Sequence, residues 1–200
     1  MKRGRITYNA PVVLTFTLLA GLVLLLNTLT GGAVNSRFFT VYRGNMLSPL
    51  FYWRLFSHVL GHSGFAHYVG NFTYILLLGP TVEEKYGSRR LLLMMLGTAG
   101  LTGVLQVVFF PQTGLLGASG IVYLLIVLSS ATNFQRGEIP LTLIIVAVFF
   151  IGGQVYAGLT AADTVSQFAH IVGGLAGGVL GLIWGAKDAP DRRRKQNGTL

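Results

Sequence analysis

Six apolar runs constrain this chain more than any other feature, at roughly 11–31, 64–79, 91–110, 119–134, 140–158 and 167–185. About 20 apolar residues at 1.5 Å per residue match the roughly 30 Å hydrocarbon core of a bilayer. The first run, PVVLTFTLLAGLVLLLNTLTG, meets that length outright. Lys2, Arg3 and Arg5 precede it, as basic residues precede a secretory signal. It is longer than a signal core and further spans follow, so it reads as a membrane helix. Backbone polar groups in lipid must be paired within the chain, and for runs of this length that means helices. The expected fold is an all-α membrane protein, a bundle of six transmembrane helices with a short fourth one.

Charge then orients the bundle. The net charge of +9 would suggest a nucleic-acid partner in a soluble chain, but only 10% of residues are charged and 52% are hydrophobic. Six spans put both termini on one side. Lys2, Arg3, Arg5, Lys85, Arg89, Arg90, Arg136, Lys187, Arg192, Arg193, Arg194 and Lys195 fall on that side, against Arg37, Arg43 and Arg54 opposite. Such a bias marks the cytoplasmic face, so both termini are expected in the cytoplasm. Residues 1–10 then form a cytoplasmic tail, 11–185 the membrane domain, and 186–200 a basic cytoplasmic tail. The run DRRRKQN in that last tail suits anionic membrane lipid better than nucleic acid. With no cysteine, disulfide and thiolate chemistry are excluded.

Between the first two spans, segment 32–63 carries Phe38, Phe39, Phe51, Tyr52, Trp53 and Phe56. So aromatic a loop is expected in the membrane interface or packed on the bundle. The segment 80–90, PTVEEKYGSRR, reads as a short charged cytoplasmic loop.

Candidate chemistry gathers at the fourth span. From Gly120 to Phe134 a helix covers only about 22 Å, short of the bilayer core. Its outer end must begin below the surface, with irregular backbone above it that protein or water surrounds. Ser119, in Gly117-Ala118-Ser119-Gly120, would then lie at the floor of an outward-facing cavity. The glycines permit a tight turn, and a helix N-terminus offers unpaired N–H groups and a positive dipole end. A small serine in a membrane helix can also serve packing alone. His170, in the sixth span, is the candidate general base. It precedes Gly173, Gly174, Gly177, Gly178 and Gly181, overlapping G-x-x-x-G stripes that suit close helix packing or dimerisation.

Spans two, four and six run inward from the outer side, so His67 with Asn71, Ser119 and His170 converge at one depth. His67 and Asn71 are four residues apart, on one helix face, and could donate hydrogen bonds to an oxyanion. Zinc binding by His58, His62 and His67 is disfavoured, because no HExxH occurs and no carboxylate lies nearby. No metal or other cofactor is expected, and His58 and His62 read as hydrogen-bonders that order their loop. No span holds a pair of carboxylates, which excludes aspartyl-type proteolysis. Asp163 reads as an outer-loop residue, so a Ser–His dyad is more economical than a triad.

Taken in order, WRLFSHVLGHSGFAHYVGN, GPTVEEKYG, GASG and AHIVGGLAG resemble the signature segments of rhomboid intramembrane serine proteases over roughly residues 53–185. The resemblance implies a minimal six-helix bacterial form in the cell (inner) membrane. It implies Ser119 as nucleophile, His170 as base, and His67 with Asn71 as oxyanion hole. Gly117 would support the site, and Tyr123 would stack on the His170 ring. Trp53 and Arg54 would belong to a membrane-embedded first loop, and Glu83 to a structural hydrogen bond at the cytoplasmic end. Transmembrane segments of other proteins would be the substrates, cut near small and helix-weakening residues. The alternative is a non-catalytic rhomboid-like protein that binds or transports membrane clients, although such relatives typically lack the serine or the histidine.

Overall fold

The computed structural model describes residues 7–130, 141–146, 148, 149, 152 and 164–185. Its helices are α1 (Pro11–Leu29), α2 (Pro49–Ser57), α3 (Phe65–Tyr86), α4 (Ser88–Phe109), α5 (Ser119–Ser130), α6 (Leu141–Val146) and α7 (Thr164–Gly185). Regular structure among the described residues is helical apart from one two-residue bridge, Val41 with Leu115. Two of the described helices, α1 and α4, are each long and apolar enough to cross a membrane. Helix α5 and the Phe168–Leu180 stretch of α7 are shorter apolar segments. The expected fifth span lies largely outside the described residues, as do Asp163, the basic run at 192–195 and Lys2, Arg3 and Arg5.

The 80–90 segment departs from its reading as a loop. Helix α3 runs through Pro80 to Tyr86, and α4 starts at Ser88, so the turn is Gly87 alone. Gly87 has φ +82°, a conformation open to glycine, and its N–H closes on the Glu83 carbonyl at 2.8 Å. Proline inside a helix removes one hydrogen bond, and here tertiary ties outweigh that loss. The Glu83 carboxylate accepts from the N–H groups of Val12 at 3.0 Å and Val13 at 3.1 Å, and from the Ser88 hydroxyl at 2.7 Å. Glu83 therefore caps α1, whose own N-cap, Ala10, has no side chain to do so. One buried carboxylate joins three helices.

The core forms where α1, α3, α4 and α5 meet, around Val13, Ala20, Phe72, Ile75, Leu91, Met94, Ile121, Leu124 and Leu128. Small residues bring backbones together at three crossings. A Cβ on Gly79 would lie 2.7 Å from Val13 Cγ2, and one on Gly103 would overlap the Leu55 carbonyl. One on Gly173 would overlap the Gly120 carbonyl, while one on Gly177 would lie 2.7 Å from the Leu124 carbonyl oxygen. Gly120 and Leu124 pair in step with Gly173 and Gly177, so α5 and α7 run parallel. The glycine stripe of α7 thus faces α5 of the same chain.

The aromatic first loop is strapped down by polar bonds. Asn35 opens a short π-helical turn (Asn35–Phe39) and donates from Nδ2 to the His62 carbonyl at 2.8 Å. Arg54 donates from Nε and an Nη to the Arg37 carbonyl at 2.9 and 2.6 Å, with its guanidinium 4.5 Å from the centre of the Tyr42 ring. Ser57 Oγ donates to the Phe38 carbonyl at 2.8 Å. Ser48 caps α2 by accepting from the Leu50 N–H, and Pro49 suits its first turn.

Candidate active site

Helices α3, α5 and α7 bring their N-terminal ends to one end of the bundle, away from Glu83. His67 and Asn71 lie in the first two turns of α3, Ser119 opens α5, and His170 is the seventh residue of α7. Each helix start is a positive dipole end, so their gathering favours negative charge there.

Gly117 is the meeting point. Its φ of +124° lies where side chains are strained, and no side chain would fit. A Cβ added there would lie 2.8 Å from His67 Nε2 and Cε1, and 3.8 Å from Asn71 Nδ2. The imidazole edge and the amide nitrogen therefore face the backbone two residues before Ser119. The Gly117 N–H donates to the His58 carbonyl at 2.9 Å, and Leu115 and Val41 exchange two 2.9 Å bonds. These contacts hold the irregular segment ahead of α5 in place.

On α7, the His170 ring stacks on Tyr123 with centroids 4.4 Å apart and planes 15° from parallel. Tyr123 lies one turn after Ser119, on the same face of α5, so the imidazole sits beside the face that carries the serine. Ser119, His67 and His170 are half-buried, and Asn71 is buried. Trp53 and Arg54 lie on α2 in the first loop.

His58 and His62 both order the loop, with different partners. His58 is buried, with Nδ1 3.3 Å from the Arg54 carbonyl and Nε2 3.3 Å from Thr102 Oγ1. His62 is fully buried, with Nδ1 3.2 Å from the Leu60 carbonyl and Nε2 3.1 Å from Asn71 Nδ2. Burial pulls the His58 pKa down to about 4, against backbone hydrogen bonds at Arg54 and Leu55 that raise it. His62 also falls to about 4, through burial first and then the neighbouring His67, opposed by its bond to Leu60. Both are neutral at physiological pH.

Two features escaped the sequence reading. Thr98, Thr102 and Gln106 form a buried polar stripe on α4, and their i, i+4, i+8 spacing within an apolar run was the available signal. Ser63 Oγ lies 3.0 Å from His67 Nδ1, with no local pattern to mark it.

A sequence model described as the rhomboid domain matches residues 50–187. Over 172 residues the chain is 29% identical to rhomboid protease GluP of Bacillus subtilis, covering 82% of this chain and 32% of that protein. It is 31% identical over 163 residues to rhomboid-related protein 2 of Mus musculus, covering 71% of this chain and 54% of that one. Against rhomboid protease GlpG of Haemophilus influenzae it is 27% identical over 147 residues, 70% of this chain and 72% of the relative. The chain spans about a third of the length of the first of these relatives and just over half of the second.

Proposed function

The chain belongs to the rhomboid family of integral membrane proteins, and on that premise we propose that it is an intramembrane serine endopeptidase working through a Ser119–His170 dyad. The observation that supports this reading most is the convergence of His67 and Asn71 on Gly117, immediately ahead of Ser119. Ser119 Oγ attacks the scissile carbonyl while His170 takes its proton. The carbonyl oxygen becomes an oxyanion, which accepts from the Asn71 amide, from His67 Nε2–H and from backbone N–H groups at the head of α5. His170 returns the proton to the leaving amine, and a water molecule, deprotonated by the same imidazole, then hydrolyses the acyl-enzyme. Tyr123 holds the imidazole plane by stacking.

Substrates are transmembrane segments of other membrane proteins, with small and helix-weakening residues at the cut, since a helical peptide bond is shielded until it unwinds. The domain spans 11–185 in six helices, in the cell (inner) membrane and in contact with its lipids, with both tails cytoplasmic. The test is cleavage of a transmembrane substrate in proteoliposomes, together with labelling by a fluorophosphonate probe. Ser119→Ala abolishes both, and His170→Ala abolishes cleavage. Near wild-type cleavage in either variant overturns the dyad. Absent labelling and cleavage in the wild type returns the chain to the client-binding alternative.

A further inference from the structure

An amide can present its oxygen or its nitrogen, and a neutral imidazole can carry its proton on either ring atom. Whether Asn71 and His67 can donate toward Gly117 therefore depends on what lies behind them. We propose that His62 and Ser63, the two residues that lead into the Gly64 cap of α3, are positioning residues that set the donor faces of Asn71 and His67. The inference rests on the reading of those two side chains as oxyanion donors.

His62 Nδ1 faces the Leu60 carbonyl, which can only accept, so Nδ1 carries the proton. The neutral ring then has a bare Nε2, which can only accept. Asn71 must turn its nitrogen toward that atom, at 3.1 Å. One N–H goes to His62, and the second remains for the Gly117 side, where the same nitrogen is 3.8 Å from the glycine's Cβ position. The other tautomer would place an N–H against the amide and draw Asn71 Oδ1 toward His62, turning the donor away. The low pKa of His62 keeps the ring neutral. The Tyr68 and Phe72 rings pack against it with centroids at 5.6 and 5.5 Å, and Asn35 holds its carbonyl, so the ring has little freedom to turn.

Ser63 does the same for His67 from the opposite side of that ring. Its hydroxyl lies 3.0 Å from Nδ1, while the edge bearing Nε2 faces Gly117. A hydroxyl that donates to Nδ1 leaves the proton on Nε2, where the oxyanion needs it. Ser63 is exposed, and water can partly replace it, so its effect is the smaller.

A double-mutant cycle in proteoliposomes tests the coupling. His62→Leu lowers kcat ~10-fold with little change in KM, and adds no more than about twofold in an Asn71→Ala background. Ser63→Ala lowers kcat roughly threefold, and Ser63→Thr, which keeps the hydroxyl, restores it. Full multiplication of the His62→Leu and Asn71→Ala penalties overturns the proposal. So does a 15N spectrum of the wild-type protein with the His62 proton on Nε2, a readout that stands even where His62→Leu fails to fold. An undiminished kcat in Asn71→Ala alone defeats the oxyanion reading first, and is seen without touching His62.

Discussion

The crossing of α5 with α7 and the seam between α1 and α4 solve one packing problem in opposite ways. At the crossing, Gly173 and Gly177 let α7 lie directly on the α5 backbone at Gly120 and Leu124. At the seam, Phe16 and Leu19 of α1 stand off from Leu92, Met95 and Leu96 of α4, and a cavity of about 450 Å³ separates them. Lipid tails are as apolar as leucine, so helices in a bilayer are not squeezed together by water, and they close only where their shapes fit. Glycine at the crossing gives that fit and fixes the face of α5 that carries Ser119 against the helix that carries His170. The seam holds no candidate catalytic group, and α1 is held from its other side, by Gly79 against Val13 and by the buried Glu83 carboxylate. Close packing and candidate chemistry coincide in one region.

Adding a single carbon breaks or sustains this contrast. Gly173→Ala should have the largest effect, because its Cβ meets backbone that cannot rotate aside. We expect a loss of ~3 kcal/mol or more and near-complete loss of substrate cleavage, read by thermal melting and a proteoliposome assay. Full activity in this variant would show that the crossing gives way as easily as the seam.

Acid sharpens the comparison at the loop above the crossing. The folded pKa values of His58 and His62 lie at about 4, below the ordinary 6.5, so between those values the unfolded chain binds protons that the fold excludes. Their contribution is fully present above about pH 6.5, declines as the pH falls toward 4, and changes no further below it. Each histidine gives a slope of about 1.4 kcal/mol per pH unit at most, or ~3 kcal/mol across the window. Melting temperature against pH measures it, and His58→Gln should remove about half of the slope.

Glu83→Gln tests the polar tie that holds the start of α1 beside the seam. An amide keeps one acceptor oxygen, but its NH2 faces donors where the carboxylate accepted, so one helix N–H loses its partner. The expected loss is about 2 kcal/mol in thermal melting, with turnover per folded molecule retained. Smallest of all is Val12→Ile at the seam. Val12 lines the cavity and is half-buried, so the added methyl has room, and stability should move by less than about 1 kcal/mol, with unchanged cleavage. An effect as large as that of Gly173→Ala would erase the distinction between the two regions.

The sequence by itself determined that α1, α4, α5 and α7 are apolar helices, and that His67 with Asn71 share a face, because helical periodicity is a local property. It also singled out Gly117, Ser119 and His170 through the company each keeps within a few residues. It could not tell which neighbour a face would meet. The α7 glycine stripe suited a neighbouring helix but left a second copy open, and only the tertiary structure showed that the neighbour is α5. His58 and His62 read alike along the chain, yet one reaches Thr102 on α4 and the other Asn71 on α3. The 80–90 segment read as a loop because proline, glycine and charge are local signals for one. Its helix persists because Glu83 meets the start of α1, some seventy residues away. Periodicity assigns residues to faces, but partners separated by tens of residues are chosen by the fit of whole helices against one another.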